Sequence, residues 1–578
     1  MNDKPIPFFK RFVIQNFPFI EEDFDALTNY QLFCKVVEYL NKVIGSQNEV
    51  TEQMEYVLNY FNNLDVQDEI NNKLDEMAED GTLASLISTH ILGDLSTLHT
   101  SDKSSIVAAI NEVCDETDAN ATGIQALNTF NVFTNEPLRY SKLDISSIIP
   151  QLDFNLYRKV DGSITSDFDY DKYYATSSQY LLYVNRSTGN DTTGDGSSAS
   201  PFKTIKKALE AANAGSESTY RIICQTYRFY RDEFTSSSVN EYTEVTKNIV
   251  IEPDDLSKTI VVGADQASLS WTQEEGSTYK TNRSNVAYVL NTANGRNGYG
   301  VYRKITKCNS LDECKETPDS WYQSGSTLYI HTNNNAAPDY RYMAVLLLPA
   351  FQFNLNSNKW LRLRNFDVYT GNVSSFHNTS SNFENRLILE SVNISYAIHL
   401  GPVENSKGNG FEIQNIKYVI AKNCKAVGNK RDGFNYHYES MPSSVIAGSY
   451  VYEESCESYE NGLNDVNGNN NCSTIHEGGN IVRVNGIYQT SRGPVIADVN
   501  SSSTFMSHCK VYQGQQGYYT FNFQNTSGQT NGKAVLCDIE ADGNQSLDLT
   551  GSTGFDIRLK NFKGNYVNSD LNITHYTE

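Results

Sequence analysis

A mainly β fold, a right-handed parallel β-helix preceded by an α-helical N-terminal region, is the class this sequence predicts, and three observations predict it. Short β-branched runs separated by polar turns continue from about residue 181 to the C-terminus. Several of them align at intervals of roughly 23–32 residues, the drifting period of a solenoid whose coils carry loops of unequal length. The first ~130 residues instead follow the helical period, with apolar residues three and four apart.

Composition agrees. The 578-residue chain is too long for one ordinary compact core, and it is only 20% charged and 12% aromatic, with 37 Tyr against 3 Trp. A net charge of −23 argues against nucleic acid or anionic membranes as partners, since both repel it. No stretch approaches the roughly 18–20 apolar residues of a membrane span. Met1-Asn2-Asp3-Lys4-Pro5 opens no secretory segment, so synthesis in a cytoplasm and a soluble product are expected. Ten cysteines in that setting read as reduced thiols. Cys308 and Cys314, six apart, read as small apolar fillers rather than a disulfide.

In the helical region Phe33, Val36, Val37, Leu40, Val43 and Ile44 form one apolar stripe, and Val50, Met54, Val57 and Phe61 another. Ile106, Ile110, Val113, Thr117, Asn120, Ile124 and Leu127 then alternate steps of four and three. This is a coiled-coil seam within 104–128, and isoleucine at both kinds of seam position leans toward a homotrimer. The segments FFKRFVIQNFPFIEEDFDALTNYQLFCKVVEYLNKVI and LSTLHTSDKSSIVAAINEV resemble the virion-proximal ends of tail fibre, appendage and baseplate proteins from phages of Gram-positive bacteria. The resemblance implies that residues 1–133 attach to phage tail or baseplate proteins.

Residues 134–180, rich in Asp and Tyr, read as a neck. At Tyr183 the stretch YVNRSTGNDTTGDGSSASPFKTIKKALEAA passes from a strand through a polar turn into an amphipathic helix at about 202–213, with Ile205, Ala208, Leu209 and Ala212 on one face. Such a helix would cover the open apolar end of a β-helix formed by 181–578. The string resembles the entry segment of pectate-lyase-like β-helix proteins. Downstream, Val392, Cys424, Cys456, Gly486, Cys509 and Cys537 begin similar segments and are expected to stack as an internal ladder. Asn429 and Asn461 recur at one turn and are expected to form an amide ladder.

Polar groups that a solenoid does not itself require are the candidates for function. In NKRDGFNYHYE and NGLNDVNGNNNCSTIHEGG, two successive coils each carry an Asp followed by a His. Asp432 and Asp465 would project from the same turn about one strand spacing apart, near the shorter separation of paired-carboxylate glycosidases. Such closeness splits two carboxylates into an acid and a base. Asp432, Asp465, His476 and Glu477 are therefore the catalytic candidates, with Lys430, Arg431, His437, Glu439, Arg492 and Asp498 as substrate-binding ones. Arg483 adds nearby positive charge. The Asn/Asp-rich loop NGLNDVNGNNN offers oxygens to calcium without a regular ligand spacing, so no cofactor is assigned.

DGFNYH, STIHEGG and GPVIADVN resemble central coils of β-helix modules in phage tailspikes and related glycan-active proteins. The resemblance implies a virion protein that binds, and depolymerises by hydrolysis or elimination, a host capsular polysaccharide or teichoic acid, hydrolysis being favoured over elimination. A non-catalytic glycan-binding adhesin and a purely structural tail appendage are the competing classes on the same fold.

Overall fold

From residue 243 onward, apart from an antiparallel insertion within residues 272–346, strands pair in parallel with the strand one repeat further along the chain. A computed structural model describes residues 140–575 except 176, 178–179, 231–232, 234–242, 264–268, 285, 340–341, 347–350, 370–372, 377–383, 398–407, 440, 464, 466–467, 516, 526–530, 542–547, 552–553 and 567–571. The helical anchor and coiled coil expected over 1–133 lie outside these residues. The described unit is mainly β, with parallel sheets. No helix among the described residues is long and apolar enough to cross a membrane.

One parallel sheet has nine strands, running in space from Leu549–Gly551 through Phe521–Gln524, Ile496–Val499, Ser473–Ile475, Phe434–His437, Phe411–Gln414, Val373–Phe376 and Phe351–Leu355 to Thr243–Val245. From Trp360 onward the remaining parallel strands turn a corner in each repeat at one residue with positive φ: Asn365, Ser391, Asn423, Ser455, Asn485, His508, Asp538 and Asn561. These corners lie in register, for Arg364 pairs with Glu390 and Phe366 with Val392, on either side of Asn365 and Ser391. Small polar residues suit the left-handed conformation better than β-branched ones. The spacing between corners is therefore the true repeat: 26, 32, 32, 30, 23, 30 and 23 residues.

The residue after each corner points inward. Val392, Cys424, Cys456, Gly486 and Cys509 occupy that column, as expected from the sequence, and Phe366 extends it. Cys537 does not. It pairs with Ser507, and Ile539 takes the place opposite Cys509. Cys537 packs instead in an outer cluster with Val535, Val484 and Phe505. The eight described cysteines, Cys308 and Cys314 included, are buried, and none of them forms a disulfide. The amide ladder is present: Asn429 Nδ2 donates to Asn461 Oδ1 at 2.9 Å, and Asn429 Oδ1 accepts from the Ala397 N–H.

The helix Ile205–Ala214 buries Ile205, Ala208, Leu209 and Ala212, and its N-cap Thr204 accepts from the Lys207 N–H. Asp191 in the preceding polar turn accepts from the Thr204 hydroxyl at 2.8 Å, fixing the helix start.

Residues 140–173, which read as a neck, lie along an outer sheet face. Ile148, Ile149, Leu156, Ile164 and Phe168 cover a column of outward apolar residues that includes Ile388, Ile420, Tyr452, Val482, Phe505 and Val535. Asp153 binds Arg386 and the Tyr450 hydroxyl there. A second addition, not read from the sequence, is an antiparallel insertion: Thr272–Glu275, Thr278–Asn282, Thr327–His331 and Ser320–Ser324 pair in that order, with two-residue turns starting at Gly276 and Gly325. It is tied to the repeats through Tyr299, stacked on Tyr459 at 4.6 Å, and through the Arg296–Asp367 ion pair.

Candidate functional site

The strands Phe434–His437 and Ser473–Ile475 pair in parallel, Phe434 opposite Ser473 and Tyr436 opposite Ile475. Phe434, Tyr436 and Ile475 face the core. Strand alternation therefore turns Asn435, Thr474 and the residues after the apolar pair, His437 and His476, outward. The two imidazoles stack, centroids 4.1 Å apart and planes 20° apart.

Glu477 completes the group. Its Oε2 accepts from the Tyr438 N–H at 3.0 Å and lies 3.2 Å from His437 Nδ1, while its Oε1 lies 4.0 Å from His476 Nδ1. Glu477 sits at φ +56°, followed by Gly478 at +78°. The chain thus reverses immediately after the strand, which folds the carboxylate back against the imidazoles. Exposed Glu439 stands 3.9 Å from His437 Nδ1 and accepts from Gln414 Nε2 at 3.1 Å.

These groups have their proton affinities pushed apart. Burial works against charge on His437, but the hydrogen bond and charge of Glu477 outweigh it and raise its pKa. Burial, aided by the neighbouring His437, lowers His476 to about 4. Burial also opposes ionisation of Glu477, yet the His437 contact holds its carboxyl below the usual range. The charged forms of His437 and Glu477 are thus favoured as a pair beside a His476 whose neutral form is favoured.

The tautomer of His476 follows from its partner. The Thr474 hydroxyl donates its one proton to the Ala497 carbonyl, which can only accept. It must therefore accept from His476 Nε2, 3.1 Å away. His476 Nδ1, on the Glu477 side, consequently carries a lone pair.

The two aspartates serve different partners. Asp432 accepts from the Asn471 N–H and Asn435 Nδ2, each at 2.6 Å, and its own N–H donates to Asn409 Oδ1, so it ties neighbouring repeats together. Burial raises its pKa against the pull of these hydrogen bonds. Gly433 beside it is required by close approach, because a Cβ there would stand 2.2 Å from Ser458 Oγ and 2.5 Å from the Cys472 carbonyl. Asp465 instead faces Arg431 Nε at 3.8 Å and accepts from Asn470 Nδ2. Lys430 and Arg492 each follow a member of the turn column, Asn429 and Ser491, and the Arg492 N–H donates to the Asn461 carbonyl. Lys430 and Arg431 thus lie in the turn that precedes the strand Phe434–His437.

Asp498 requires a correction. Expected on the binding face, it points inward in register with Tyr436 and Ile475 and is fully buried. It accepts from Arg483 Nη1 and Nη2 at 2.7 and 2.9 Å and from the Thr504 hydroxyl, and Arg483 is likewise fully buried. Glu453, 3.7 Å from Arg483 Nε, accepts from Tyr488 and Ser473. A charged residue in a strand reads as outward from sequence, but here its counter-ion comes from another sheet inside the fold.

No protein-family model matches the chain, and no curated protein matches it in sequence. Among solved structures it is similar to a glycoside hydrolase, at 11% identity and a TM-score of 0.38 over 68% of this chain and 96% of that one. It is similar also to the GH136 lacto-N-biosidase of Eubacterium ramulus, at 9% identity and 0.28 over 68% of each chain. A third is the Gp54 tailspike of Acinetobacter baumannii bacteriophage AP22, in complex with a capsular saccharide, at 10% identity and 0.16 over 64% of this chain and 73% of that one. These neighbours are carbohydrate-active proteins and one phage tailspike.

Proposed function

We propose that this protein is a phage tailspike, a right-handed parallel β-helix that binds a host surface glycan across the outer face of its nine-stranded sheet. The supporting observation is the row of half-buried polar side chains at neighbouring strand ends, Gln414, His437 and His476, flanked by Glu439 and Glu477. Strand ends ~4.8 Å apart set these groups in a row across neighbouring strands, which suits an extended polyhydroxylated polymer better than a compact ligand. Lys430, Arg431 and Arg492 suit anionic substituents, phosphate or uronate, which a net charge of −23 would otherwise repel. Residues 1–133 serve as the trimeric attachment to the phage tail, placing the protein in the virion.

Cleavage of the glycan is a second reading, and the split proton affinities of His437 and His476 favour it. A neutral imidazole with an available lone pair can take a proton beside a charged one that can give it. The test uses the full chain against a panel of purified capsular polysaccharides and wall teichoic acids. Retention on one of them together with new reducing or unsaturated ends supports a depolymerase. Retention without new ends identifies an adhesin, and retention on none of them sinks the glycan reading.

A further inference from the structure

The same cluster has the makings of a metal centre. Each of His437, His476 and Glu477 offers a donor atom, and the three lie within 4.8 Å of one another. His437 Nδ1 is already 3.2 Å from Glu477 Oε2. Donors around a tetrahedral ion with ~2.0–2.1 Å bonds stand roughly 3.4 Å apart, so small side-chain shifts would bring this set to that spacing.

The hydrogen bond behind His476 is the second observation. A metal-binding imidazole characteristically donates its other ring N–H to a fixed acceptor, which sets the tautomer and aims the lone pair. Thr474 does this for His476, and is itself fixed by the Ala497 carbonyl. An ion pair between His437 and Glu477 alone would not require it.

Glu477 is the third. A non-glycine residue in the left-handed region is uncommon, and Asn is the usual choice when one occurs. Elsewhere among the described residues half of such positions, 9 of 18, fall to Asn, and Glu460 is a second glutamate there. A glutamate at φ +56° instead places a carboxylate against two stacked imidazoles.

We propose that His437, His476 and Glu477 bind a divalent transition-metal ion of the zinc class, leaving a coordination position for water or substrate. Two imidazoles and one carboxylate suit zinc, whereas calcium and magnesium prefer all-oxygen sets. The inference goes beyond glycan binding and needs no glycan to be tested. What the ion does to a bound sugar rests on the function proposed above.

The experiment counts zinc on the chelator-stripped full chain, by titration calorimetry and by metal analysis after gel filtration. Wild-type protein is expected to retain one more equivalent than His476→Ala or Glu477→Gln, and to gain melting temperature with zinc where those variants do not. Thr474→Val should keep the equivalent but bind it about 10–100-fold more weakly. Circular dichroism of each zinc-free variant checks that it is folded, and His476→Gln, closer in volume, replaces any that is not. Equal zinc content in wild type and the ligand variants overturns the proposal, as does the absence of bound zinc from wild type at micromolar concentration. Zinc bound by a protein that retains no glycan upholds this site and sinks the glycan reading, and the converse result does the reverse.

Discussion

Arg483 grips the carboxylate of Asp498 with both terminal nitrogens in a part of the fold that water does not reach. Removing one partner of such a pair leaves an uncompensated buried charge, which costs about 3–5 kcal/mol. Asp498→Asn should therefore lower unfolding free energy by about that amount in denaturant titration. The triple change Glu453→Leu, Arg483→Met, Asp498→Leu should recover much of the loss. A single mutant within 1 kcal/mol of wild type would mean that solvent reaches this pair.

Asn461→Ala should destabilise more than its small size change suggests. It strips the acceptor from both the backbone N–H and the side-chain amide of buried Asn429. Each buried donor left unsatisfied costs about 1–3 kcal/mol. Thermal melts of the variant check this, and an unchanged melting temperature would show that the ladder contributes no stability.

Asp432 and His476 should separate stability from function. Asp432→Asn weakens a tie between repeats and is expected to lower the melting temperature while sparing glycan binding per folded molecule. His476→Ala is expected to keep the fold and, if the glycan is cleaved, to cut turnover by on the order of 10²–10⁴. The reverse pattern would move the site to the aspartate.

Acid should loosen the segment 140–173 before neutral pH does. Burial opposes ionisation of Asp153, but Arg386 and the Tyr450 hydroxyl outweigh it and hold its pKa below the usual carboxylate range. A depressed carboxylate pKa gives stability that is fully present above about pH 4 and lost as pH falls through the folded value. Asp153→Asn should thus melt below wild type at pH 7, with the gap narrowing as the pH falls below about 4. A gap that stays constant would assign the loss to packing instead.

The repeat was legible because one corner recurs with a polar residue followed by an inward apolar one, as at Asn423-Cys424 and Ser455-Cys456. Cys537 misled because CDIEAD imitates the segments that begin inside, while the true corner is Asp538 and the inward residue Ile539. Asp498 misled for a related reason: alternation gives a side, but a buried counter-ion from another sheet can reverse what charge implies. The insertion was missed because its short strands, among them TQEE and SWYQS, carry few of the β-branched residues that mark the others, and antiparallel pairing leaves no mark on a single strand. Its two turns starting at Gly276 and Gly325 were the available signal. His437, His476 and Glu477 were named from sequence, but the stacking and the tautomer set by Thr474 depend on three-dimensional contacts.

The insertion also orders events in time. Asn248 accepts from the Trp360 N–H across 112 residues, and the strand Asn248–Pro253 pairs with Trp360–Val368. Loop closure over such a span is slow unless the intervening chain is already compact. The hairpins at Gly276 and Gly325 close locally and can form first, which shortens the span that remains. A ribosome making this chain would therefore finish the insertion before the repeats on either side of it could join. Substitutions that weaken those hairpins should delay assembly of the parallel sheets even where they leave the finished protein's stability intact.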